Sequence, residues 1–180
     1  MPSLDYLKAF IKDRRVGAIT ATSQHTIRRI LEEVEPNYEY IVEYGAGEGA
    51  ITREILNKLP PSGKVYAVET NEQLLIKLSA SKDPRLTIIK DDVRDVSGRL
   101  NDLGAPRIDL VISGIPLSSR KSNRDVIIEN TYRGLCRRGK FVAYQYSRLL
   151  LPIIEQWFST TRWCCERRNF PPMFIMTGQK

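Results

Sequence analysis

The sequence is poor in the residues that build metal and redox sites. His25 is its only histidine, and its three cysteines, Cys136, Cys164 and Cys165, show no CxxC spacing. That set holds too few ligands for a zinc site, and an odd, sparse cysteine count points to a reducing compartment rather than a disulfide framework. Long apolar runs are scarce too. The longest, Leu149 to Ile154, is interrupted by Pro152 and is far shorter than a bilayer span, and the N-terminus carries no signal-peptide core. The expectation is a cytoplasmic chain, soluble or peripheral on the inner face of the membrane, without metal. At 180 residues and 42% hydrophobic content it can bury one sizeable core but not two.

Charge of one sign is in excess. The net charge of +7 suits an anionic partner: nucleic acid, a membrane surface or an acidic small molecule. The segment 120–140 supplies most of it, with seven basic residues (Arg120, Lys121, Arg124, Arg133, Arg137, Arg138 and Lys140) against Asp125 and Glu129. A solvated helix face accounts for such a run equally well, so charge alone selects no partner.

From residue 38 onward, short β-rich runs alternate with helical stretches, the pattern of a mostly parallel sheet covered by helices on both faces. Strands are expected at Tyr40–Tyr44, Val65–Glu69, Leu86–Lys90, Ile108–Ser113 and Lys140–Tyr146. Helices are expected at Ala50–Leu59, Glu72–Ser81, Val96–Leu103, Arg124–Leu135 and Leu149–Phe158. Pro60-Pro61-Ser62-Gly63 and Arg138-Gly139 read as helix stops. Two last β-rich runs, Trp163–Arg168 and Met173–Thr177, flank Asn169-Phe170-Pro171-Pro172 and read as an antiparallel hairpin.

Residues 1–35 form an N-terminal helical segment ahead of the 36–180 domain. Leu4, Leu7 and Ile11, with Tyr6 and Phe10, make an apolar stripe at helical spacing beside Lys8, Lys12, Arg14 and Arg15. It suits docking on the chain's own core, and it also suits an acidic membrane interface. Gly17 breaks the segment, and Ser23 can cap a second helix over Gln24–Glu33.

The first strand runs into Glu43-Tyr44-Gly45-Ala46-Gly47-Glu48-Gly49. Glycines after a buried strand let backbone approach a ligand closely. The spacing is GxGxG, whereas a dinucleotide fingerprint prefers GxGxxG and a pyrophosphate at the helix start. Glu43, two residues before the first glycine, welcomes an ammonium group and so favours a zwitterionic amino-acid cofactor. Glu69 ends the second strand, where an acid can accept hydrogen bonds from ribose hydroxyls. Lys90-Asp91-Asp92-Val93 ends the third and offers a carboxylate to an adenine amino group.

These features together resemble the class I S-adenosylmethionine-dependent methyltransferases, over residues 38–180. The resemblance implies a Rossmann-like α/β fold with a seven-stranded, mostly parallel sheet and a C-terminal antiparallel hairpin. It implies S-adenosyl-L-methionine as cofactor, with Gly45, Ala46, Gly47 and Gly49 around the methionine part. Glu69 and Thr70 would hold the ribose, Asp92 and Val93 the adenine, and Glu43 and Ser113 would complete the site.

The fourth strand ends in Ser113-Gly114-Ile115-Pro116-Leu117, where an acceptor should meet the cofactor. Methyltransferases acting on exocyclic amines of nucleobases usually place Asn or Asp, then Pro, then an aromatic there. The corresponding positions here are Gly114, Pro116 and Leu117. The chain resembles the ribosomal RNA adenine dimethyltransferases in its glycine motif and strand pattern, but those enzymes carry a further C-terminal helical domain, and here the catalytic core is expected to end the chain. It is most similar to the bacterial phospholipid N-methyltransferases. That likeness rests on Val16-Gly17-Ala18-Ile19 with Ser23, Ser113–Leu117, Gly139–Val142 running into Tyr144-Gln145-Tyr146-Ser147, and Arg168–Pro172. Against it, Ser118-Ser119-Arg120-Lys121 is more polar than that family's pattern.

The implied reaction is N-methylation of the head-group amine of a phosphatidylethanolamine-like aminolipid in an anionic membrane surface. RNA or a soluble amine is the alternative acceptor, and a non-catalytic cofactor-binding module is a third reading. Methyl transfer from a sulfonium is an in-line displacement that needs alignment and a neutral lone pair. His25 lies in the N-terminal region and reads as a packing or helix-surface residue rather than a base. Tyr144 and Tyr146, at the end of the fifth strand, are spaced to share a face. Their rings suit either core packing or cation–π contact with a methylated ammonium. Arg120, Lys121 and Arg124 are candidate phosphate contacts, while Arg133 to Lys140 should lie at the opposite end of the sheet.

Overall fold

The computed structural model describes residues 22–94, 96–105, 107–117 and 121–180. The stripe at Leu4–Ile11, the Val16–Ile19 segment and Ser118, Ser119 and Arg120 lie outside the described residues. The chain runs α1 (Gln24–Leu31), β1 (Tyr40–Tyr44), α2 (Ala50–Lys58), β2 (Lys64–Val68), α3 (Glu72–Leu78), β3 (Leu86–Ile89) and α4 (Val96–Asp102). It continues through β4 (Ile108–Ser113), α5 (Lys121–Gly134), β5 (Leu135–Gln145), α6 (Leu151–Trp157), β6 (Thr160–Glu166) and β7 (Met173–Gln179).

The seven strands form one sheet in the order β3-β2-β1-β4-β5-β7-β6. The pairs from β3 to β5 are parallel, and β7 runs antiparallel to both β5 and β6. The central strands are apolar on both faces, as a sheet covered twice requires. Ile41, Leu110, Ile112, Val142 and Ile175 face Ile27 and Ile30 of α1 and Ile51 and Ile55 of α2. Val42, Val111, Phe141 and Met176 point the other way, toward Ile128 of α5 and Ile154 of α6. Alternation along each strand thus builds the two layers.

One buried acid breaks the apolar pattern of β4. Asp109 Oδ2 accepts from the backbone N–H groups of Glu39 at 2.9 Å and Tyr40 at 3.0 Å, fixing the entry of β1. At the other end of the strands, Gly114 N–H donates to Tyr44 C=O at 2.9 Å, carrying the β1–β4 pairing past the last residue of β4.

Two sequence expectations are corrected. Arg138-Gly139 does not stop a helix. α5 ends at Gly134, and the pair sits in a bulge inside β5, where the register to β4 jumps from Ile108↔Leu135 to Leu110↔Lys140. Arg138 takes φ 68° there, and any β-carbon on Gly139 would stand 2.9 Å from Cys136 C=O, which keeps that position bare. The fifth strand also stops at Gln145, so Tyr146 lies beyond it and the strand alternation orients only Tyr144.

Helix α1 is held by more than its apolar face. Glu33, just past its end, accepts from Thr177 Oγ1 at 3.0 Å and from the Arg162 guanidinium, and its Oε2 lies 3.5 Å from Lys140 Nζ. Lys140 also donates to Glu35 at 2.5 Å, which holds the Glu35 carboxyl below its usual range. At its start, Ser23 N–H and Thr26 Oγ1 both donate to Asn169 Oδ1 at 3.0 Å, and Asn169 Nδ2 donates to Pro171 C=O at 2.7 Å. The β6–β7 turn is therefore fastened to the N-terminus of α1. Removing one partner of a buried ion pair leaves the other charge uncompensated. Glu33→Ala is expected to destabilise the fold by about 3 kcal/mol in urea unfolding, with no change in m-value.

Candidate active site

β1 delivers Glu43 to the carboxyl end of the sheet under the glycine turn. Its side chain is 1% exposed, and burial pushes its carboxyl up to about 7 although Thr52 Oγ1 donates to it at 2.5 Å. Thr52 lies in the first turn of α2, so the helix that follows the glycines supplies the partner of the acid that precedes them. Gly45 and Ala46 N–H groups both donate to Val68 C=O, at 2.9 and 3.1 Å, which seats the turn across the end of β2. The Ala46 methyl packs inward with Ala67 and Leu78.

Gly45 and Gly47 differ in what surrounds them. A β-carbon on Gly45 would lie 2.6 Å from Ile115 Cγ2, so this glycine exists to let the β1 and β4 loops touch. Gly47, at φ 58°, has no atom of the described residues other than its chain neighbours within 4 Å of the place a β-carbon would occupy. Its bare face borders open space, the cradle a ligand needs.

Glu69 stands just beyond β2. Its Oε1 accepts from the N–H groups of Thr70 at 2.8 Å and Asn71 at 2.9 Å, and its Oε2 accepts from Gly47 N–H at 3.0 Å. A carboxylate has about four acceptor sites. Among the described residues, one therefore remains on Oε2 for an external hydroxyl. Asp92, beyond β3, has its carboxylate against the Arg94 N–H at 3.0 Å and the Arg94 guanidinium. Val93 packs, partly buried, on the edge of the core.

On the acceptor side, Ser113 is fully buried and its hydroxyl has no hydrogen-bond partner among the described residues. Gly114 faces Tyr144 so closely that a β-carbon there would coincide with the phenol. Pro116 is exposed, whereas Leu117 is 3% exposed and belongs to the core. The Tyr144 hydroxyl lies near the side chain of Thr22, and burial together with the nearby Glu43 raises its pKa well above the phenol range. It is therefore a neutral O–H at physiological pH, not a phenolate base. Tyr146 lies beside it in the loop after β5.

Sequence reasoning missed Gln145 as a site residue. This last residue of β5 is buried, its Nε2 donates to Ile115 C=O at 3.0 Å, and its Oε1 has no partner among the described residues. It clamps the loop that carries Gly114 and Pro116. An amide closing the apolar run Phe141–Tyr144 was the available signal. Thr52 was also missed, since a threonine on a buried helix face reads as ordinary packing until Glu43 is placed beneath it. His25 sits on α1 near Glu166, at the β6 side. Arg124 Nε is paired with Asp125 at 3.0 Å, and Lys140 lies at the amino end of the β4–β5 pairing, buried between Glu33 and Glu35.

The described residues thus present an open glycine cradle, a raised acid below it and a carboxylate with one unused acceptor site. They also place two unpartnered buried polar atoms, Ser113 Oγ and Gln145 Oε1, at the carboxyl ends of adjacent strands. Buried polar atoms without partners cost free energy unless a ligand or water satisfies them. That donor and acceptor set fits an adenosyl amino acid. Among the described residues no cluster of His, Cys, Asp and Glu is disposed to hold a metal ion.

Comparison with known proteins agrees with this reading. An ornithine lipid N-methyltransferase of Singulisphaera acidiphila is 28% identical over 159 residues, 83% of this chain and 79% of that protein. A ribosomal RNA small subunit methyltransferase A of Pelagibacter ubique is 30% identical over 89 residues, 49% of this chain and 33% of that one. In fold, the chain is similar to the 1,6-didemethyltoxoflavin-N1-methyltransferase of Burkholderia thailandensis, solved with S-adenosylhomocysteine bound. The TM-score is 0.70 at 14% identity, over 98% of this chain and 85% of that one. The model of the family described as Ribosomal RNA adenine dimethylase matches residues 12–113, more than half of the sequence. The chain belongs to that family and is an S-adenosylmethionine-dependent methyltransferase.

Proposed function

We propose that the chain N-methylates the head-group amine of an aminolipid, phosphatidylethanolamine-like in its chemistry, at the inner face of an anionic membrane. The observation that carries this reading is how the likenesses divide along the chain. The family model stops at Ser113, the end of β4, after the cofactor-holding strands. The likeness to the ornithine lipid enzyme spans 83% of the chain and so must run on into the acceptor half. The acceptor loop supports it, because Leu117, aliphatic and buried in the core, presents no ring on which a nucleobase could stack.

S-adenosylmethionine supplies an electrophilic methyl on a sulfonium, and an amine accepts it with loss of a proton. The residues of this chain hold and orient. Gly45, Ala46, Gly47 and Gly49 wrap the methionine part, and Glu43 provides negative charge under its ammonium. Glu69, with Thr70, takes a ribose hydroxyl on its unused acceptor site, and Asp92 and Val93 border the adenine. Gln145 fixes the Ser113–Pro116 loop, so that Ser113, Gly114 and Pro116 shape the entry for the amine. Tyr144 and Tyr146 offer ring faces to an ammonium that grows larger with each methyl. The segment 1–35 covers the cofactor and helps engage the bilayer, a role supported by Thr22 reaching Tyr144 at the catalytic edge.

A labelled-methyl transfer assay offering total lipid, RNA and small-amine fractions in parallel tests the acceptor. Label is expected in lipid; label in RNA and none in lipid would overturn the reading.

Gly47→Val tests the cradle. Its left-handed backbone costs the variant about 1–2 kcal/mol of stability. The side chain enters open space, so a folded protein is expected whose affinity for S-adenosylhomocysteine, measured by calorimetry, falls by roughly two orders of magnitude.

Glu43 sets a pH dependence with opposite signs for folding and binding. Its folded pKa of about 7 lies above the ordinary 4.5, so the contribution of Glu43 to the stability of the ligand-free protein is fully present below that ordinary value and is lost as pH rises through about 7. Binding an ammonium favours the ionised form. Affinity for S-adenosylhomocysteine is therefore expected to rise about tenfold between roughly pH 6 and pH 8, and Glu43→Gln should bind weakly with that rise abolished.

A further inference from the structure

Three large apolar side chains stand in solvent around the carboxyl end of the sheet: Leu149 at 70% exposure, Phe170 at 65% and Trp163 at 44%. Leu149 follows β5 shortly after Gln145. Phe170 occupies the β6–β7 turn, and Phe174 at the start of β7 pairs with Gln145 in register, so this turn lies at the same edge as the acceptor loop. The Arg148 guanidinium joins the two sides, 4.2 Å from the Trp163 ring and 5.8 Å from that of Phe174, whose centroids are 6.1 Å apart.

These exposed side chains are not held in place by a core. The turn that carries Phe170 is nonetheless rigidly placed, because Asn169 beside it is 3% exposed and bonded to Ser23, Thr26 and Pro171. An apolar side chain displayed by a fastened turn is presented, not merely unburied. The two loops, 147–149 and 167–172, contain Arg148, Arg167 and Arg168; Arg168 is paired with Glu166 at 2.8 Å, so the cations that matter to this surface are Arg148 and Arg167. Aliphatic and aromatic tips among cations complement a surface that is negative outside and apolar within. Leu149 offers nothing to RNA, which rewards stacking and phosphate contact instead.

We infer that Leu149, Phe170 and Trp163, with Arg148 and Arg167 around them, are the surface by which this chain docks on an anionic lipid bilayer. Docked so, the acceptor loop meets the membrane and a head-group amine reaches Gly114 without leaving the bilayer. The inference rests on the aminolipid reading, and it adds a surface remote in sequence from the N-terminal segment.

The test is co-sedimentation of the full chain with phosphatidylglycerol-rich vesicles and with pure phosphatidylcholine vesicles. It is followed in parallel by tryptophan emission, compared with that of Trp157→Phe to isolate Trp163, with methyl transfer to vesicle lipid read from the same samples. The unsubstituted protein is expected to bind the anionic vesicles with a blue shift. Leu149→Ser combined with Phe170→Ser is expected to lose at least about tenfold in vesicle affinity. Both positions are solvent-exposed, so S-adenosylhomocysteine affinity should be retained and reports that the variant is folded. Equal vesicle binding by a folded variant would overturn the docking surface, even if lipid is methylated. Weakened binding by the variant without methyl transfer to any lipid would sustain the surface and overturn the acceptor assignment instead. A concentration-dependent dimer that the double substitution dissociates, with no vesicle binding by either protein, would assign the patch to a second copy and overturn the proposal.

Discussion

The site depends on a contact between two loops that leave adjacent strands. β1 and β4 pair in parallel up to Tyr44↔Ser113, and the Tyr44 C=O to Gly114 N–H bond continues the ladder one step further. Gly45 and Ile115 then touch where a side chain on residue 45 could not fit. The cofactor turn and the acceptor loop are thereby set in fixed relation by backbone geometry. Catalysis by alignment needs such a relation, because displacement at a methyl group tolerates little misplacement of donor and acceptor.

Charge is divided between the two ends of the sheet. At the amino ends, Asp109 and the Glu33–Lys140–Glu35 group are saturated by partners, so they serve the fold. At the carboxyl ends, Glu43 is buried against its own ionisation and Glu69 keeps unused capacity. Ser113 and Gln145 have unpartnered atoms there. Incomplete satisfaction of this kind is what a binding edge requires. The net charge of +7 says less than this distribution does. Lys140, counted in the basic run, is spent on burial, and Arg124 is spent on Asp125.

Much of the fold was legible because buried parallel strands read as short apolar runs and their ends as glycine and acid clusters. Glu43, Gly47 and Glu69 could be placed at one edge from the order of strands alone. The β5 bulge could not, since Arg138-Gly139 looks like a helix stop unless the register to β4 is known. Thr52 and Gln145 act through partners that only folding brings near, Glu43 beneath α2 and Ile115 on the neighbouring loop. Asn169 is the extreme case, bonding Ser23 across 146 residues. Tyr144 was placed by strand alternation, but its neutral state follows from burial, which no local pattern records.

Membership of an RNA dimethylase family and a lipid-type acceptor do not conflict physically. In the proposed function the strands β1 to β3 and the turn after β1 hold the donor, and any acceptor chemistry needs that half unchanged. The loop after β4, the end of β5 and the β6–β7 turn, where the proposed acceptor would be met, can vary without disturbing the donor. The family model ends where β4 ends, at the boundary between these two halves. Beyond it, Leu117 turns into the core where a stacking ring would be needed, and Phe170 and Leu149 turn outward at the rim. A site built for a base would bury its aromatics around the acceptor. This one leaves apolar side chains outside, where an acceptor embedded in a membrane would bring its own apolar surroundings to meet them.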